Sequence, residues 1–301
     1  MAASLHPAPA TGQRDATLWP FATDSPWNTP LGRDAAFAGN DDPRQRSLQD
    51  THVDVWINAG QYSQPIVRAK SSDPMATFRR RGCDDVRIHV PLGATPAAGS
   101  DKHLNVIDPT GHFVDESWLT QGSFPNFTTG HHVRNDLYGP GVGLGGSRAY
   151  GGSAIGGLIR TWEVQQRAIH HALALAVTPG QLAHGPVWPA TADDGGAQYT
   201  GAIHMGELLA LPADVDLDSY HLSPAARALA DALAGYGAYV VDSSVGSMNL
   251  YADPGTEDSA DLAAMRDAFK VLRPVLRVIV NNGRGAPGGP GPRRAAAPPP
   301  L

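Results

Sequence analysis

The chain has 301 residues, of which 42% are hydrophobic, and its 23 basic and 29 acidic side chains give a net charge of −6. A chain of this length and apolar content can bury the core of one large domain. The acidic balance disfavours a nucleic-acid-binding protein, which would carry a net positive charge or a dense basic stripe. The one basic run, Arg79-Arg80-Arg81, is interpreted as a solvated turn. No stretch of about 18 apolar residues occurs in the sequence, which excludes a membrane-spanning helix.

The two ends of the chain differ in composition from the rest. Residues 1–16 are rich in Ala, Pro and Thr, and residues 284–301 in Gly, Pro and Ala, so we predict a flexible N-terminal segment and a disordered tail. No linker interrupts residues 17–283, which are predicted to form a single domain. Residues 1–15 contain no apolar signal region, and the single cysteine, Cys83, excludes an internal disulfide bond.

Short runs in which apolar and polar residues alternate recur through the body of the chain. Such runs are typical of strands with one buried face. A hairpin is predicted at residues 104–108 and 112–116, because the sequence Pro109-Thr110-Gly111 between them is typical of a tight turn. Further strands are predicted at residues 53–57, 65–69, 86–90, 169–177, 208–211, 239–242, 248–251 and 275–280.

Helical signals are few. A helix is predicted from Pro224 to Gly235, since Ser223 is a favoured N-cap and Pro a favoured first helical residue. Two others are predicted at residues 259–272 and, more weakly, at 159–165. Many short strands with two or three peripheral helices predict an all-β fold, a jelly-roll or concanavalin-like β-sandwich. A parallel α/β sheet is not expected, because strands and helices do not alternate regularly.

The predicted hairpin carries the first candidate site. Alternation places Asp101 and His103 on one face of their strand, and the hairpin brings Glu116 and Trp118 near its far end. Carboxylates and a histidine on that face could perform acid–base chemistry on a sugar, and the indole could stack on its ring. The alternative interpretation is a solvated sheet face beside a capped turn.

A second candidate site lies between Arg160 and His171. Arg160 and Glu163 are three residues apart, a spacing that pairs side chains on a helical turn and that by itself indicates a structural ion pair. His170 and His171 point to opposite faces of a strand, so at most one is functional, and we favour His171. A core histidine bonded to a backbone carbonyl is the alternative.

Two further segments place carboxylates near strand ends. Trp188 precedes the paired Asp193 and Asp194, a combination that fits a carbohydrate platform. The two aspartates also offer the oxygen ligands that Ca²⁺ prefers, but no EF-hand spacing is present. We therefore predict no cofactor, with Ca²⁺ as the alternative. Asp242 ends a predicted strand, a position common both for catalytic groups and for turn formation.

A set of short motifs between residues 18 and 253 carries a resemblance. The motifs are SPWNTP at 25–30, DKH at 101–103, ESW at 116–118, GLIR at 157–160 with Glu163, IHHAL at 169–173, VWPA at 187–190, and Tyr236-Gly237 with Asp242. Together they resemble a poorly characterised group of exported bacterial and fungal β-sandwich proteins associated with carbohydrate-binding modules. The resemblance implies a secreted, glycan-related protein and no particular catalytic residue. A cytoplasmic location is the alternative.

These observations predict an extracellular enzyme that cleaves glycosidic bonds in a poly- or oligosaccharide. A glycoside hydrolase needs one carboxyl group as general acid and another as base or nucleophile. The candidate catalytic residues are Asp101, His103, Glu116, Glu163, His171 and Asp242. The candidate substrate-binding residues are Tyr62, Trp118, Arg160 and Trp188, with Trp56 and Trp162 as further stacking surfaces.

Two other functions are compatible with the sequence. A polysaccharide lyase would use Tyr62 and His171 for proton transfer and Arg160 to neutralise a uronate. A non-catalytic carbohydrate-binding module would keep the aromatic surface without converging ionisable groups. In each case we expect a monomer with no nucleic-acid partner.

Overall fold

The computed structural model describes residues 13–49, 53–80, 82–143 and 145–301. Most of the predicted flexible segment at residues 1–16, as far as residue 12, lies outside these described residues. Arg81 of the basic run also lies outside them. Within the described part of the chain, no helix is long and apolar enough to cross a membrane.

The described chain contains more strand than helix segments, and the strands are short. The helices are α1 Pro43–Leu48, α2 Thr161–Gln166, α3 Pro224–Gly235 and α4 Ala260–Leu272. The strands are β1 Asp54–Asn58, β2 Ile66–Arg68, β3 Met75–Arg80, β4 Val86–His89, β5 Leu104–Ile107, β6 Phe113–Trp118, β7 Gln121–Ser123, β8 Asn126–Thr129, β9 His131–Asp136, β10 Leu173–Val177, β11 Leu208–Ala210, β12 Ala238–Ser243, β13 Ser247–Tyr251 and β14 Arg277–Val278. Short 3₁₀ turns lie at Leu217–Tyr220 and Arg273–Val275.

The largest sheet has six strands in the order β1-β13-β10-β12-β11-β14. The pairs β1–β13 and β10–β12 are parallel, and the other neighbours are antiparallel. All five residues of β10, Leu-Ala-Leu-Ala-Val, are buried, as expected for a strand covered on both faces. Helices α3 and α4 pack against each other, and α4 packs against β1. Their apolar stripes, which the sequence predicted, are buried.

Two four-stranded sheets, β2-β5-β6-β9 and β4-β3-β8-β7, make up the remainder. They share a second, smaller core, to which Leu104 and Val106 contribute from one sheet and Phe78 and Phe127 from the other. The rings of Phe78 and Phe127 stack with their centroids 4.8 Å apart. Strands β5 and β6 pair antiparallel with Leu104 opposite Ser117, which is the hairpin that the turn sequence predicted.

The β-rich character of the fold is confirmed, whereas a jelly-roll or concanavalin-like sandwich is not. Parallel pairs occur in all three sheets, also at β2–β5 and β3–β8, whereas a jelly-roll is built from antiparallel strands. Parallel strands need a long crossover connection, usually through a helix, and α3 lies in the connection between β10 and β12. Helices α3 and α4 are therefore packed into the main core and are not peripheral, and α1 and α2 also contribute Leu48 and Val164 to it.

The structure differs from the prediction of a disordered tail at residues 284–301. The Gly32 N–H donates to the Gly288 carbonyl at 3.0 Å, and the Arg294 N–H donates to the Leu31 carbonyl at 2.8 Å. A Cβ atom at Gly32 would lie only 1.9 Å from the Pro290 carbonyl oxygen. Glycine and proline here permit two backbones to run close together, an arrangement that composition alone does not separate from disorder.

Candidate functional site

A cavity of about 500 Å³ brings together residues from distant parts of the chain. We call it the acidic pocket and define it by Asp101, His103, Trp118, Arg148 and Asp242, which line it. Asp101 and His103 precede β5 and Trp118 ends β6, so the predicted hairpin of β5 and β6 places these three residues next to one another. Asp242 comes from β12 in the large sheet, and Arg148 comes from the glycine-rich loop that precedes α2.

A second cavity, of about 380 Å³, adjoins the acidic pocket and shares Asp101 and Ser243 with it. We call this second cavity the aromatic arm and define it by Trp56 and Tyr62, which line it. Both aromatic side chains are 42% exposed, and Trp118 in the acidic pocket is 37% exposed. Large exposed aromatic groups in cavities that also contain carboxylates are suited to binding a flat, partly apolar and partly hydroxylated ligand.

Asp242 is the carboxyl group with the most perturbed acidity in the acidic pocket. Its side chain is 21% exposed, and its Oδ2 atom lies 3.9 Å from Nε of Arg148. Burial raises the pKa of Asp242 to about 7; the guanidinium of Arg148 opposes the rise, and the charges of Asp101 and Asp194 add to it. A substantial fraction of Asp242 is therefore protonated near neutral pH, which a general acid requires.

Arg148 and His103 occupy the floor of the acidic pocket. All three guanidinium nitrogens of Arg148 are buried, and none has a hydrogen-bond partner among the described residues. The guanidinium lies 4.1 Å above the ring of Tyr251, in cation–π contact. Burial, aided by the charge of Arg148, lowers the pKa of His103 to about 3, so this imidazole is neutral. Its Nδ1 atom also has no partner in the described part of the chain.

Glu116, predicted as a catalytic residue, lies beneath the acidic pocket and does not line it. Its carboxylate is fully buried and accepts hydrogen bonds from the Ser153 hydroxyl, the Ser147 hydroxyl at 3.3 Å and the Ala154 N–H at 2.8 Å. These partners belong to the same loop as Arg148. Glu116 therefore anchors the loop that carries the arginine, and we no longer assign it a catalytic role.

The second predicted site is a separate network, which we call the Arg160 cluster: Arg160, Glu163, His171 and Asp253. Glu163 Oε2 accepts from the Arg160 N–H at 2.9 Å and lies 3.1 Å from His171 Nε2. His171 Nδ1 lies 2.9 Å from the Ala172 carbonyl oxygen. The Arg160 guanidinium Nε lies 3.1 Å from each carboxylate oxygen of Asp253. This agrees with the structural alternative, with Asp253 in place of Glu163 as the ion-pair partner of Arg160.

The adjoining cavity at the Arg160 cluster is small, about 20 Å³. It contains Arg160 and His171, whereas Tyr62 lies in the aromatic arm. The three residues predicted for lyase chemistry are thus not brought to one site. Trp162 belongs to the same region, where its ring lies 6.5 Å from that of Trp19.

Of the segment with Trp188, Asp193 and Asp194, which was predicted to form a carbohydrate platform, only Asp194 lines the acidic pocket. Trp188 contacts Tyr239 edge-on, with ring centroids 6.5 Å apart, and does not line the acidic pocket. Asp193 accepts a hydrogen bond from the Gly185 N–H at 2.6 Å. Asp194 lies at the pocket and accepts from the Ser243 hydroxyl at 3.1 Å. Among the described residues, no group of three or more His, Cys, Asp or Glu side chains is arranged to hold a metal ion.

Arg148 is the main residue of the acidic pocket that sequence reasoning missed. It stands in a run of glycines and serines whose folding depends on close backbone contacts: a Cβ atom at Gly146 would lie 1.7 Å from the Gly152 carbonyl oxygen. The sequence signal that could have found it is a single arginine within a glycine-rich loop. Glycines in that number indicate close backbone contacts, which a fully solvated loop does not need, so a charged residue among them is a candidate for a buried functional position.

The chain was compared with protein-family models, curated proteins and solved structures. No protein-family model, no curated protein and no solved structure matches the chain. The functional argument therefore depends on the acidic pocket and its surroundings.

Proposed function

We propose that the protein is a glycoside hydrolase that cleaves a poly- or oligosaccharide, with Asp242 as the general acid and Asp101 as its partner carboxylate. The observation that carries this proposal is that both aspartates line one cavity together with the exposed Trp118, and that Asp101 also lines the cavity of the exposed Trp56 and Tyr62. In keeping with the resemblance of the sequence motifs, we propose a secreted enzyme.

The reaction needs a proton for the departing sugar oxygen and a negative charge beside the cationic sugar that forms. Asp242, with its pKa raised to about 7 mainly by burial, supplies the proton. Asp101 is partly exposed at the junction of the acidic pocket and the aromatic arm. From there its carboxylate acts either on a water molecule or directly on the anomeric carbon, and the C–O bond breaks as the oxygen takes the proton of Asp242.

Substrate binding is assigned to the aromatic side chains and to His103. Trp118 in the acidic pocket and Tyr62 in the aromatic arm present exposed aromatic faces on which sugar rings can stack. Trp56 offers the face that is not covered by Arg266. His103, neutral and buried, has a ring nitrogen without a partner in the described chain, which a sugar hydroxyl can satisfy. A polysaccharide, being longer than one cavity, would occupy the acidic pocket and the aromatic arm together.

The test is a panel of glycans treated with the native chain, Asp242→Asn and Asp101→Asn. The matched control is Asp214→Asn, which changes an exposed aspartate that lines neither cavity. New reducing ends that disappear in the first two variants and persist in the control support the hydrolase. Binding without any cleavage would instead indicate a carbohydrate-binding module, and ultraviolet-absorbing unsaturated products would indicate a lyase; either result contradicts the proposal.

A further inference from the structure

A third cavity, of about 550 Å³, is not used by the proposed reaction. It adjoins the acidic pocket, because Gly130 lines both. We call it the basic arm and define it by Arg79, Arg80, Gln121 and Thr128, which line it. Its lining residues in the described chain include two arginines and no carboxylate. The basic arm thus extends from the acidic pocket, as the aromatic arm does.

The fold holds the two arginines at the end of a strand. Arg79 and Arg80 close β3 and stand opposite Thr128 and Thr129 of the parallel strand β8. Backbone pairing with β8 therefore fixes where both side chains begin. Arg79 stands beside the exposed Thr128, whereas Arg80 stands beside the buried Thr129, whose hydroxyl bonds to backbone carbonyls. The first two arginines of the basic run are thus part of a built cavity, and the interpretation of that run as a solvated turn is wrong for them.

Neither arginine is neutralised by a close ion pair. The nearest carboxylate to Arg79 is that of Asp85, 4.0 Å away, and both side chains are more than half exposed, where such a pair contributes little. Arg80 donates from Nε to the Asp84 carbonyl at 2.8 Å, which orients its guanidinium. Within the described residues no carboxylate forms a salt bridge with Arg80. The basic arm therefore offers two guanidinium groups available to an external anion.

A third arginine lines the adjoining acidic pocket. The nitrogens of Arg148 are buried without hydrogen-bond partners in the described chain, and Oδ2 of Asp242 lies 3.9 Å from its Nε. Asp101, Asp194 and Asp242 in that pocket would repel a negatively charged ligand, whereas the basic arm would attract one. The basic arm is thus lined by cations without carboxylates, whereas the acidic pocket contains Arg148 together with the proposed catalytic carboxylates.

We infer that the substrate is an acidic glycan, and that the basic arm binds a carboxylate or sulfate group on the sugar next to the one held in the acidic pocket. Arginine is suited to this, because its planar fork donates two parallel hydrogen bonds to either kind of anion. The inference rests on the proposed function.

The experiment measures binding by calorimetry, in the Asp242→Asn background so that cleavage does not interfere. The probes are oligomers of a polyuronate, the same oligomers after carboxyl reduction, and a sulfated galactan. We expect an anionic probe to bind at least tenfold more tightly than the carboxyl-reduced one, and the double variant Arg79→Gln/Arg80→Gln to remove that advantage, since hydrogen bonds between charged groups contribute roughly 1.5–3 kcal/mol. The matched control is Arg87→Gln, an exposed arginine on β4 of the same sheet outside the cavity.

Every outcome decides the inference. Preference for the polyuronate assigns a carboxylate, and preference for the sulfated galactan assigns a sulfate ester. Equal affinity for charged and reduced probes, no binding of any probe, or the same loss in the control as in the double variant would overturn it. Cleavage of the reduced oligomers by the native chain, without any preference for charge, would leave the hydrolase standing while the inference fails. Arginine-dependent binding of an anionic probe, with no cleavage of any glycan by the native chain, would support the acidic-glycan inference and contradict the hydrolase proposal.

Discussion

The acidic pocket and the Arg160 cluster both contain an arginine, a histidine and carboxylates, but they differ in how far these side chains are hydrogen-bonded to the rest of the protein. In the Arg160 cluster both ring nitrogens of His171 have partners, and the guanidinium of Arg160 meets a carboxylate at 3.1 Å. In the acidic pocket the guanidinium of Arg148 and Nδ1 of His103 have no hydrogen-bond partner in the described chain, and the charge of Arg148 is met only by Asp242 at 3.9 Å and the ring of Tyr251. Groups that satisfy one another hold the fold together, whereas groups left unsatisfied beside a cavity are available to a ligand.

The same contrast separates the candidate carboxylates. Glu116 and Glu163 are fully buried and accept hydrogen bonds from backbone or hydroxyl donors, although Oε1 of Glu163 has no hydrogen-bond partner in the described chain; their burial keeps them from a substrate. Asp101 and Asp242 are partly exposed to a cavity, so they can meet a substrate. Accessibility to a ligand, more than residue type or charge, distinguishes the two pairs.

The largest expected effect is on catalysis. Asp242→Asn keeps the shape of the side chain but cannot give up a proton, so we expect kcat/KM to fall by about 10³-fold, within the usual range for a general acid. Release of reducing ends measures the loss, and a melting temperature within a few degrees of that of the native chain at pH 6 shows that the fold is intact. In the native chain, activity should decline as the pH rises through about 7, where Asp242 loses its proton. Full activity of the asparagine variant would contradict the assignment.

The Arg160 cluster should respond in stability and hardly in activity. Burial of the His171 imidazole is outweighed by the nearby Glu163 carboxylate, so the pKa of His171 is raised in the folded state. Its stabilising contribution is therefore complete below the unfolded pKa of about 6.5 and is lost as the pH rises through the folded-state value. We expect His171→Ala to lower the free energy of unfolding by about 3 kcal/mol at pH 6, the cost of breaking a buried pair, and by less at pH 9.

Urea denaturation at the two pH values provides the measurement. The neighbouring exposed residue His170, which only stacks near Trp19, is the control, and His170→Ala should cost less. Activity measured where the His171→Ala variant is still folded should stay within about twofold of the native value. A loss of turnover comparable to that of Asp242→Asn would contradict the structural role and indicate that His171 takes part in catalysis.

Asp242 should itself weaken the fold at alkaline pH. Its folded-state pKa of about 7 lies above the unfolded value, so its contribution is complete below about pH 4 and is lost as the pH rises through 7. We expect Asp242→Asn to be more stable than the native chain at pH 8.5 by about 2 kcal/mol, with little difference at pH 4.5. Thermal unfolding at both pH values measures this gain, and a stability difference that does not change with pH would contradict it.

The smallest expected effect concerns the aromatic surface. Trp118→Ala should raise KM about tenfold with kcat much less affected, since stacking on an indole contributes roughly 1–1.5 kcal/mol. Tyr138, which is 44% exposed and stacks on His112 away from the acidic pocket, supplies the control Tyr138→Ala. Equal changes in the two variants would show that Trp118 does not contact the substrate.

The sequence predicted the elements that depend on local signals. The hairpin of β5 and β6 is predicted by its turn residues, and it brings Asp101 and Trp118 to one cavity as expected. Helix α3 is predicted by the cap at Ser223, which accepts the Ala226 N–H. These features need only neighbouring residues, so alternation and capping rules are sufficient for them.

The features that sequence reasoning missed depend on contacts between distant residues. The parallel pairs β10–β12 and β1–β13 join segments far apart along the chain, and no local pattern separates them from antiparallel ones. The burial of Glu116 and the pairing of Arg160 with Asp253 likewise exist only after the chain has folded. Alternation correctly placed Asp101 and His103 but could not show that a loop would bring Arg148 beneath them.

The contact between residue 14 and the last residues of the chain has a consequence for engineering. The Arg14 N–H donates to the Pro300 carbonyl at 2.9 Å, and its guanidinium Nε donates to the Pro299 carbonyl at 2.8 Å. A peptide linker of a few residues could therefore join residue 301 to residue 13 and close the backbone into a ring. Cyclisation of this kind removes conformational freedom from the unfolded chain alone, so a ring-closed version should resist heat better while its groove keeps the same shape.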